Sequence, residues 1–436
     1  MHRAVFRTAA IAAAGILAVG ALAACAPGGD AGSDGGEDGK GGGVVRVTLA
    51  NHVWTDIIKK KIPEFEKETG IKVELTQLGE DQLSDQYNVK LNAGTDELDV
   101  MMYRPLQEGK LFAQNGYMAD LTSMVEDDAE WDWSDFQPGP VETTTYEGAV
   151  VGVPLITESE VLYYRTDLLE AAGLEVPSTL DELAEAAKVI SEANPGVAGF
   201  VARTARSAAV TQFSSFLFSF GGDFMDDGKA TIDTPEAIEA YEYYGGLLHN
   251  YGPANVSTDM SWPEAAAIFA QGQAAFYTDA SSLYQNLALE ENSTVFDKLG
   301  YAAFPEGPAG SKPYAIPSWG LAINEGSTNQ ENAWEFIKWA TSADSVLAVQ
   351  SEGVPGARAS VWEDPKGTAS FPADLAKAIA INAQNGVGYD RPVVVNVAEA
   401  REIVGDPIVV GITGGDVAAT AKSSQEKFQA FLKDEG

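Results

Sequence analysis

The stretch GVPLITESEVLYYRTDLL, residues 152–169, is apolar enough for a buried strand, yet it carries Glu158, Glu160 and Arg165. A strand inside a core does not favour two carboxylates two positions apart, because a buried charge without a partner is costly. Three interpretations fit this stretch: an active site, a salt-bridged core, or a connection between two halves of the molecule. The rest of the sequence favours one of them.

The composition of the chain limits its size class and its partners. Its 436 residues exceed one ordinary core, so we expect two domains. The 28 Lys and Arg residues against 64 Asp and Glu residues give a formal net charge of -36. A surface of that sign repels nucleic acid and anionic lipid, so neither is an expected partner.

The N-terminal residues have the pattern of a secreted lipoprotein. Residues 1–24 place arginines before an apolar run, as in a signal peptide, and lead into LAAC at 22–25, which looks like a bacterial lipobox. Cys25 is the only cysteine, so no internal disulfide is expected. Residues 25–43 are glycine-rich and predict a flexible tether behind a lipidated Cys25. The alternative is an ordinary secretory signal with a chance cysteine.

The hydrophobic pattern beyond the tether predicts an α/β fold. Residues 44–50 and 71–78 alternate as strands do, and the apolar spacing of residues 57–69 between them indicates a helix. A helix at 82–92 and a short apolar strand at 98–103 follow. Strands that alternate with helices are typical of βαβ units and a mostly parallel sheet.

Helix signals recur in the second half of the chain. Thr179 with Glu182, and Thr328 with Glu331, have the spacing of capping boxes that begin helices. Residues 373–433 are expected to be mostly helical, with a Gly- and Pro-containing interruption at 385–392.

Signatures of catalysis are weak. Outside the signal the histidines are His52 and His249, and the chain has no G-x-S-x-G elbow and no H-E-x-x-H motif. We therefore expect no catalytic residues, no metal and no cofactor. Paired carboxylates still leave a glycosidase open, because such an enzyme needs only two of them. The sequence Asp-Asp-Gly at 226–228 indicates a tight turn rather than a calcium site.

Several tryptophans lie where ligands bind in α/β proteins. Trp54 follows the first predicted strand, Trp262 begins a helix, and Trp319 lies in PSWGLAIN. Ligands of α/β sheets bind at strand ends. Flat aromatic rings stack on the C–H faces of sugars, while carboxylates and guanidinium groups pair with sugar hydroxyls. These residue types therefore make a sugar site chemically reasonable.

The chain resembles the extracellular solute-binding proteins of bacterial ABC importers, specifically the sugar-binding group related to maltose-binding protein. The resemblance covers essentially the whole chain after the signal. It rests on the segments IPEFEKETGIKVEL, LDVMMYRPLQEGKLFAQNGYMADLT, YEGAVVGVPLITESEVLYYRTDLLEAAGLEVPSTLDEL, AIFAQGQAAFYTDASSL and SWGLAINEGSTNQENAWEFIKWATSADSVLAVQSEGVPGARAS. It implies a type II periplasmic-binding-protein-like fold, with two α/β lobes joined by three hinge crossovers around a ligand cleft.

The resemblance also implies where the lobes divide. The first crossover is expected within residues 153–159, which makes the quoted stretch a connection between lobes. The second is expected near 317–322 and the third near 353–358. The N-terminal lobe would then comprise residues 44–156 plus 320–353, and the C-terminal lobe 157–318 plus 356–436.

Ligand-binding residues follow by position from the same resemblance, at strand ends and crossovers. In the first lobe these are His52, Trp54, Glu80, Asp81, Tyr103 and Arg104. The crossovers add Ser159, Glu160, Trp319, Gly320 and Arg358. The second lobe adds Tyr163, Asp223, Trp262, Asp279, Ser281 and Tyr389.

Arg104 departs from the family pattern, because many relatives have a small polar or acidic residue there. Its guanidinium could clamp sugar hydroxyls, or pair with a carboxylate or phosphate of an acidic ligand.

The implied function is capture of a carbohydrate, most simply an oligosaccharide, and its delivery to the permease subunits of an ABC importer. The protein would be a monomer on the extracellular face of the cell membrane, held there only by the lipid on Cys25. Two alternatives stay open. The same transport role could serve a glycerophosphodiester, a peptide or a polyamine, or the chain could be a glycoside hydrolase lipoprotein.

Overall fold

The computed structural model describes residues 42–435. The predicted signal, Cys25 and residues 25–41 of the predicted tether lie outside the described residues. The first strand begins at Gly43, the last residue assigned to the tether. Within residues 42–435 no helix has the length and apolar character needed to cross a membrane.

The strands of the described chain alternate with helices over most of its length. They are β1 (Gly43–Ala50), β2 (Ile71–Leu78), β3 (Val100–Tyr103), β4 (Thr145–Tyr146), β5 (Ala149–Val150), β6 (Val153–Arg165), β7 (Ala198–Val201), β8 (Met225–Asp226), β9 (Lys229–Ala230), β10 (Ala274–Ala280), β11 (Leu299–Ala303) and β12 (Ala315–Ile323).

The helices surround the strands and fill the C-terminal third of the chain. They are α1 (Val53–Thr69), α2 (Glu80–Asn92), α3 (Lys110–Gln114), α4 (Thr122–Asp127), α5 (Pro138–Thr143), α6 (Thr166–Ala172), α7 (Leu180–Ala193), α8 (Arg206–Ser219), α9 (Pro235–Tyr251), α10 (Trp262–Ala270), α11 (Tyr284–Ala288), α12 (Gln330–Ala340), α13 (Ala343–Gln350), α14 (Ala359–Glu363), α15 (Pro365–Thr368), α16 (Ala373–Asn385), α17 (Val397–Val404), α18 (Asp406–Ile412) and α19 (Val417–Asp434). Shorter helical turns occupy Pro105–Gly109, Trp133–Asp135, Ser281–Leu283 and Phe296–Lys298.

Local sequence explains how most of these elements start and stop. α1 ends at Gly70, whose φ of 74° is left-handed and costs glycine nothing. The predicted capping box of Thr179 and Glu182 forms at α7. The predicted box at Thr328 does not form, because Asn329 is the N-cap of α12 and lacks a side-chain bond. The Asn329 backbone N–H donates instead to the Ser327 hydroxyl, 3.0 Å away.

Most strands join one eight-stranded sheet in the order β2-β1-β3-β12-β6-β10-β7, with β11 also paired to β6. β1 is parallel to β2 and β3, and β10 is parallel to β7, while β6 and β12 run antiparallel to their neighbours. The Asp-Asp-Gly sequence forms the predicted tight turn between β8 and β9, with positive φ at Asp227 and Gly228.

The stretch that raised the question of two carboxylates forms β6. Its first half, from Val153 to Ser159, pairs with β12, and its second half, from Glu160 onward, pairs with β10 and β11. One strand therefore passes from one part of the sheet into the other.

Buried apolar side chains collect on either side of this passage. The first core draws on residues 45–156 and 319–357. The second part of the chain builds two further clusters from residues 161–304 and 371–431. We call the regions around these cores the first lobe and the second lobe.

Candidate ligand-binding site

The helical turn after β3 contains first-lobe residues that contact the second lobe. Leu106 packs against a small apolar cluster that contains Ala280, Tyr314 and Ile316. The side-chain oxygen of its neighbour Gln107 accepts a hydrogen bond from Arg391 Nη1 at 3.4 Å. Charged side chains surround this contact, and we call them the junction: Glu158, Glu160, Arg203, Asp279, Asp390 and Arg391.

Arg203 and Asp279 form a bidentate pair at the edge of the second-lobe sheet. Arg203 follows β7 and Asp279 lies at the end of β10, so the parallel strands bring both residues to one edge. Arg203 Nε donates to Asp279 Oδ2 at 2.9 Å, and Nη2 donates to Oδ1. The carboxylate is fully buried and also accepts from the Tyr277 hydroxyl at 2.6 Å. Such forked pairs fix the orientation of both groups.

Asp390 and Arg391 form a second bidentate pair next to the first. Arg391 donates from Nε and Nη2 to the two oxygens of Asp390. Burial alone would raise the pKa of Asp390, but the adjoining guanidinium of Arg391 lowers it to about 2. The arginine is therefore neutralised by its own neighbour, and its remaining nitrogen reaches Gln107.

Glu158 is a carboxylate of the junction that has no cation in direct contact. Its Oε1 accepts from the Ser282 hydroxyl at 2.9 Å, and its Oε2 makes no hydrogen bond within residues 42–435. Burial raises the pKa of Glu158, and the nearby charge of Arg203 opposes that rise. Glu158 is partly exposed, so its open oxygen is available to a ligand.

Glu160 lies two residues further along β6, on the same face of the strand. It is fully buried, and neither carboxylate oxygen has a hydrogen-bond partner within the described chain. Burial raises the pKa of Glu160 well above its ordinary value, which favours the protonated form. The buried hydroxyl of Tyr314 likewise has no partner among the described residues.

The predicted site residues fall into several groups, and only some lie at the junction. Glu160 and Asp279 belong to it, and the Ser159 backbone N–H donates to the Ser281 hydroxyl beside it at 3.2 Å. Tyr163 belongs to the second-lobe core, where its ring stacks on Tyr277 and its hydroxyl donates to the Ala280 carbonyl at 2.7 Å.

His52, Trp54 and Trp319 are grouped in the first lobe. The His52 and Trp319 rings meet edge to face at 6.3 Å, and His52 Nδ1 accepts from the Trp54 backbone N–H at 3.0 Å. Burial lowers the pKa of His52, so its imidazole is neutral at pH 7. The Trp54 side chain is buried in the first core and offers no surface to a ligand.

Arg104 is held inside the first lobe. Its Nη2 donates to Glu108 Oε1 and to the Ser84 hydroxyl, both at 2.8 Å, and Nη1 meets Glu80 Oε2 at 3.4 Å. These bonds occupy both terminal nitrogens of the guanidinium that was expected to contact sugar hydroxyls or an acidic group of the ligand. Asp81 lies in α2 beside Glu80.

Three further predicted residues lie around the turn after β3 and the C-terminal loop. The Tyr103 ring is buried against Gly320 and Gly152. The Tyr389 hydroxyl donates to Asp223, and burial raises the pKa of that carboxyl group. Trp262 begins α10 with 40% of its surface exposed.

Arg358 has a structural role that differs from the predicted ligand contact. Its guanidinium lies 4.3 Å from the Phe136 ring centre and is 2% exposed. It donates to the carbonyls of Trp131 and Thr341 at 2.6 and 2.7 Å and forms a salt bridge with Asp135 at 3.0 Å. Because these groups enclose it, the side chain has no path to a ligand.

The sequence prediction missed four members of the junction: Glu158, Arg203, Asp390 and Arg391. Arg203 follows a short buried strand, and Asp390 and Arg391 adjoin the predicted Tyr389, so position alone could have suggested these three. Glu158 lies in the quoted stretch, but the position-based prediction falls on Glu160 instead. Within residues 42–435 no group of His, Cys, Asp and Glu side chains has the arrangement of a metal site.

The shared strands β6 and β12, two cores and a polar junction between them define a two-lobed type II periplasmic-binding-protein fold. An ABC transporter solute-binding protein from Agrobacterium radiobacter K84 in complex with ribitol is similar, with a TM-score of 0.73 and 27% identity over 90% of this chain and 99% of that one. Maltose-bound MalE3 of T. maritima has a TM-score of 0.72 and 30% identity, over 89% of this chain and all of that one.

Sequence comparison identifies the family. A probable ABC transporter-binding protein of Deinococcus radiodurans is 31% identical over 301 residues, which are 66% of this chain and 69% of that protein. The model of the bacterial extracellular solute-binding protein family matches residues 51–346. The chain belongs to this family.

Proposed function

We propose that the protein captures a neutral carbohydrate, a sugar or a sugar alcohol, at the junction and delivers it to the permease of an ABC importer. The observation that carries this proposal is Glu158, whose open carboxylate oxygen lies near Arg203, an arginine that is already paired with Asp279. The ribitol and maltose bound by two similar proteins support the choice of ligand class.

The chemistry of the junction suits hydroxyl groups. A hydroxyl both donates and accepts, so it can donate to the open oxygen of Glu158 and accept from a guanidinium. Arg203 Nη1 makes no hydrogen bond within the described chain, and its charge is balanced by Asp279. A neutral polyhydroxylated ligand therefore meets both donors and acceptors without bringing an unpaired charge into a buried site.

Capture would depend on movement of the two lobes. We take the moving bodies to be residues 44–156 plus 320–353 and residues 157–318 plus 356–436. A few residues of β6, β12 and the 353–358 segment would absorb the rotation, as in hinge closure around a ligand. The Gln107–Arg391 hydrogen bond is one contact that closure would keep. The permease would then recognise the closed form.

The location follows from the family and from the N-terminal sequence together. Members are extracellular solute-binding proteins. The lipobox supports a diacylglyceryl anchor on Cys25, with the Gly-rich residues 25–43 as the predicted tether, and a monomer on the outer face of the cell membrane.

The binding role is tested by thermal unfolding of residues 26–436 against sugars, sugar alcohols, peptides and glycerophosphodiesters. A ligand at 100 times its Kd stabilises the fold by about 2.7 kcal/mol, which is readily measured. We expect a shift with at least one neutral carbohydrate and a much smaller one in Glu158→Gln. A shift only with peptides or phosphodiesters would reject the carbohydrate assignment.

The same samples separate binding from catalysis. The protein is proposed to bind and not to convert its ligand, so chromatography after prolonged incubation should return the carbohydrate unchanged. Appearance of a cleaved product, lost on mutation of two carboxylates, would identify a glycoside hydrolase instead.

A further inference from the structure

A loop of the second lobe crosses onto the first lobe. It comprises residues 386–394, between α16 and α17, and we call it the strap. The strap is tied to the second lobe at its start, because the Val387 N–H donates to the Pro313 carbonyl and the Ala315 N–H donates to the Val387 carbonyl, both at 2.8 Å. At its end Val394 packs in the second-lobe core.

Hydrogen bonds from first-lobe side chains hold the strap on the first lobe. The Thr143 hydroxyl donates to the Gly388 carbonyl at 2.5 Å, and Lys110 Nζ donates to the Val393 carbonyl at 3.0 Å. The hydrogen bond that Arg391 makes to the first lobe lies between these two positions along the strap. The strap is therefore bound to the first lobe at both ends and in its middle.

Glycine at position 388 permits the closest of these contacts. A Cβ atom there would lie 2.8 Å from the Gly139 carbonyl oxygen and 3.2 Å from Thr143 Oγ1, both in α5 of the first lobe. A Cβ atom at Gly139 would in turn lie 3.4 Å from the Gly388 Cα. Two backbones meet here with no side chain between them, as glycine allows. A single methyl group at position 388 is therefore enough to push them apart.

The strap is docked on the first lobe rather than merged with its core. A cavity of about 310 Å³ lies under it, lined by Tyr389 and Val393 of the strap and by Leu106 and Tyr146 of the first lobe. Continuous protein cores leave few voids larger than a water molecule. The hold of the strap on the first lobe therefore depends on the hydrogen bonds and the glycine contact, which can break without exposing a close-packed core.

The strap also contains two charged residues of the junction. Asp390 is fully buried and paired with Arg391. The hydroxyl of the preceding Tyr389 donates to Asp223 of the second lobe. Movement of the strap therefore moves part of the polar junction between the lobes.

We infer that the strap is a releasable latch, which holds the two lobes together in the absence of ligand and detaches from the first lobe when they separate. The proposed hinge segments permit rotation of the lobes, and the strap adds a non-covalent connection that opposes it. Because the strap contains Asp390 and Arg391, its release also displaces this pair. The inference builds on the lobe movement of the proposed function and is independent of which ligand is captured.

The test measures the separation of the lobes in ligand-free protein by single-molecule energy transfer between two dyes. Residues 26–436 contain no cysteine, so Lys67→Cys on α1 and Glu192→Cys on α7 supply the only thiols for labelling. Both positions are exposed. The helices lie at opposite ends of the sheet, α1 against β2 and α7 against β7.

Two variants of this labelled protein release the strap by different means. Gly388→Ala places a methyl group against α5, and its φ lies outside the left-handed region, so alanine fits its backbone. Lys110→Met with Thr143→Val removes two of the hydrogen bonds and keeps side chains of similar size. Gly246→Ala on α9 is the matched control, because a Cβ atom there would lie 3.9 Å from Asn250 Nδ2, an ordinary contact. Urea unfolding establishes that each protein is folded.

Most molecules of the labelled parent should show high transfer efficiency, as expected for docked lobes. Both release variants should add molecules of lower efficiency. The ratio of separated to docked lobes should rise about tenfold, which corresponds to about 1.4 kcal/mol. Gly246→Ala should match the parent.

Unchanged energy transfer in both release variants would overturn the inference, and so would an equal change in Gly246→Ala. Either result would leave the carbohydrate assignment in place, because the measurement uses no ligand. Failure of every carbohydrate in the thermal unfolding screen would reject the proposed function and leave the latch in place.

Discussion

At the scale of single residues, the buried carboxyl group of Glu160 makes stability depend on pH. Burial raises the pKa of this group well above its ordinary value, so the folded protein keeps a proton that the unfolded chain releases. The stability linked to that proton is fully present below the ordinary glutamate pKa. It is lost as the pH rises toward the folded pKa.

Glu160→Gln should therefore flatten the pH dependence of stability. The amide has the shape of the protonated acid and cannot ionise, so the advantage of the variant should grow from pH 5 to pH 8. The gain is about 1.4 kcal/mol for each unit by which the folded pKa is raised. Thermal unfolding at several pH values measures it, with the exposed Glu74→Gln on β2 as a control. If the stability of Glu160→Gln and of the parent changed with pH in the same way, the raised pKa of Glu160 would be contradicted.

At the scale of elements, the Arg203–Asp279 pair joins the ends of β7 and β10. Asp279→Ala should destabilise the protein by about 3–5 kcal/mol, because Arg203 would remain buried without its partner. Replacing both residues, as in Arg203→Met with Asp279→Leu, should recover much of that loss, since apolar side chains can substitute for a buried pair.

Carbohydrate binding separates the two roles of this pair. The double variant should bind carbohydrate weakly in calorimetry, because the polar edge that binds hydroxyls is gone. Urea unfolding should show that this variant is nevertheless stably folded. A double variant that binds like the parent would show that the pair only supports the fold.

The segment that leads out of the first lobe depends on Arg358. Arg358→Ala should lower the free energy of unfolding by about 3–5 kcal/mol, since Asp135 would lose its buried partner. Arg358→Lys should rescue this only in part, because lysine lacks the planar fork that reaches several acceptors. Affinity per folded molecule should stay within about twofold of the parent.

Asp135→Asn is the matched variant, because it weakens the same contact from the other side. A tenfold loss of carbohydrate affinity in a fully stable Arg358→Lys protein would instead support the prediction from the family resemblance that Arg358 contacts the ligand.

At the scale of the whole molecule, periodicity and turn residues predict the fold well. The alternation of residues 71–78 gives β2 with the same bounds, and the apolar stretch that begins at residue 152 forms the buried strand β6. These features are local, so the sequence displays them. The Thr328 box does not form because α12 begins one residue later than predicted, with Asn329 as its N-cap and the Asn329 N–H bonded to the Ser327 hydroxyl.

The site is harder to predict, because its groups meet only after folding. Gln107 and Arg391 are 284 positions apart, and nothing in either neighbourhood marks them as partners. Arg104 and Arg358 were reasonable ligand contacts by position, yet nearby carboxylates and carbonyls take up their donors. Whether an arginine is free or paired depends on loops whose course the sequence does not display.

The quoted stretch now has a definite interpretation as the strand that connects the lobes. Its two glutamates differ in environment: Glu160 is fully buried, while Glu158 is partly exposed and keeps one oxygen open at the junction. The central claim is that this oxygen receives a hydroxyl of a neutral carbohydrate.

Calorimetric titration of Glu158→Gln tests that claim most directly, using the carbohydrate that stabilises the parent most and the exposed Glu239→Gln on α9 as control. The account predicts one-to-one binding to parent and control, and at least tenfold weaker binding to Glu158→Gln at unchanged stability. Equal affinity in all three proteins would contradict it.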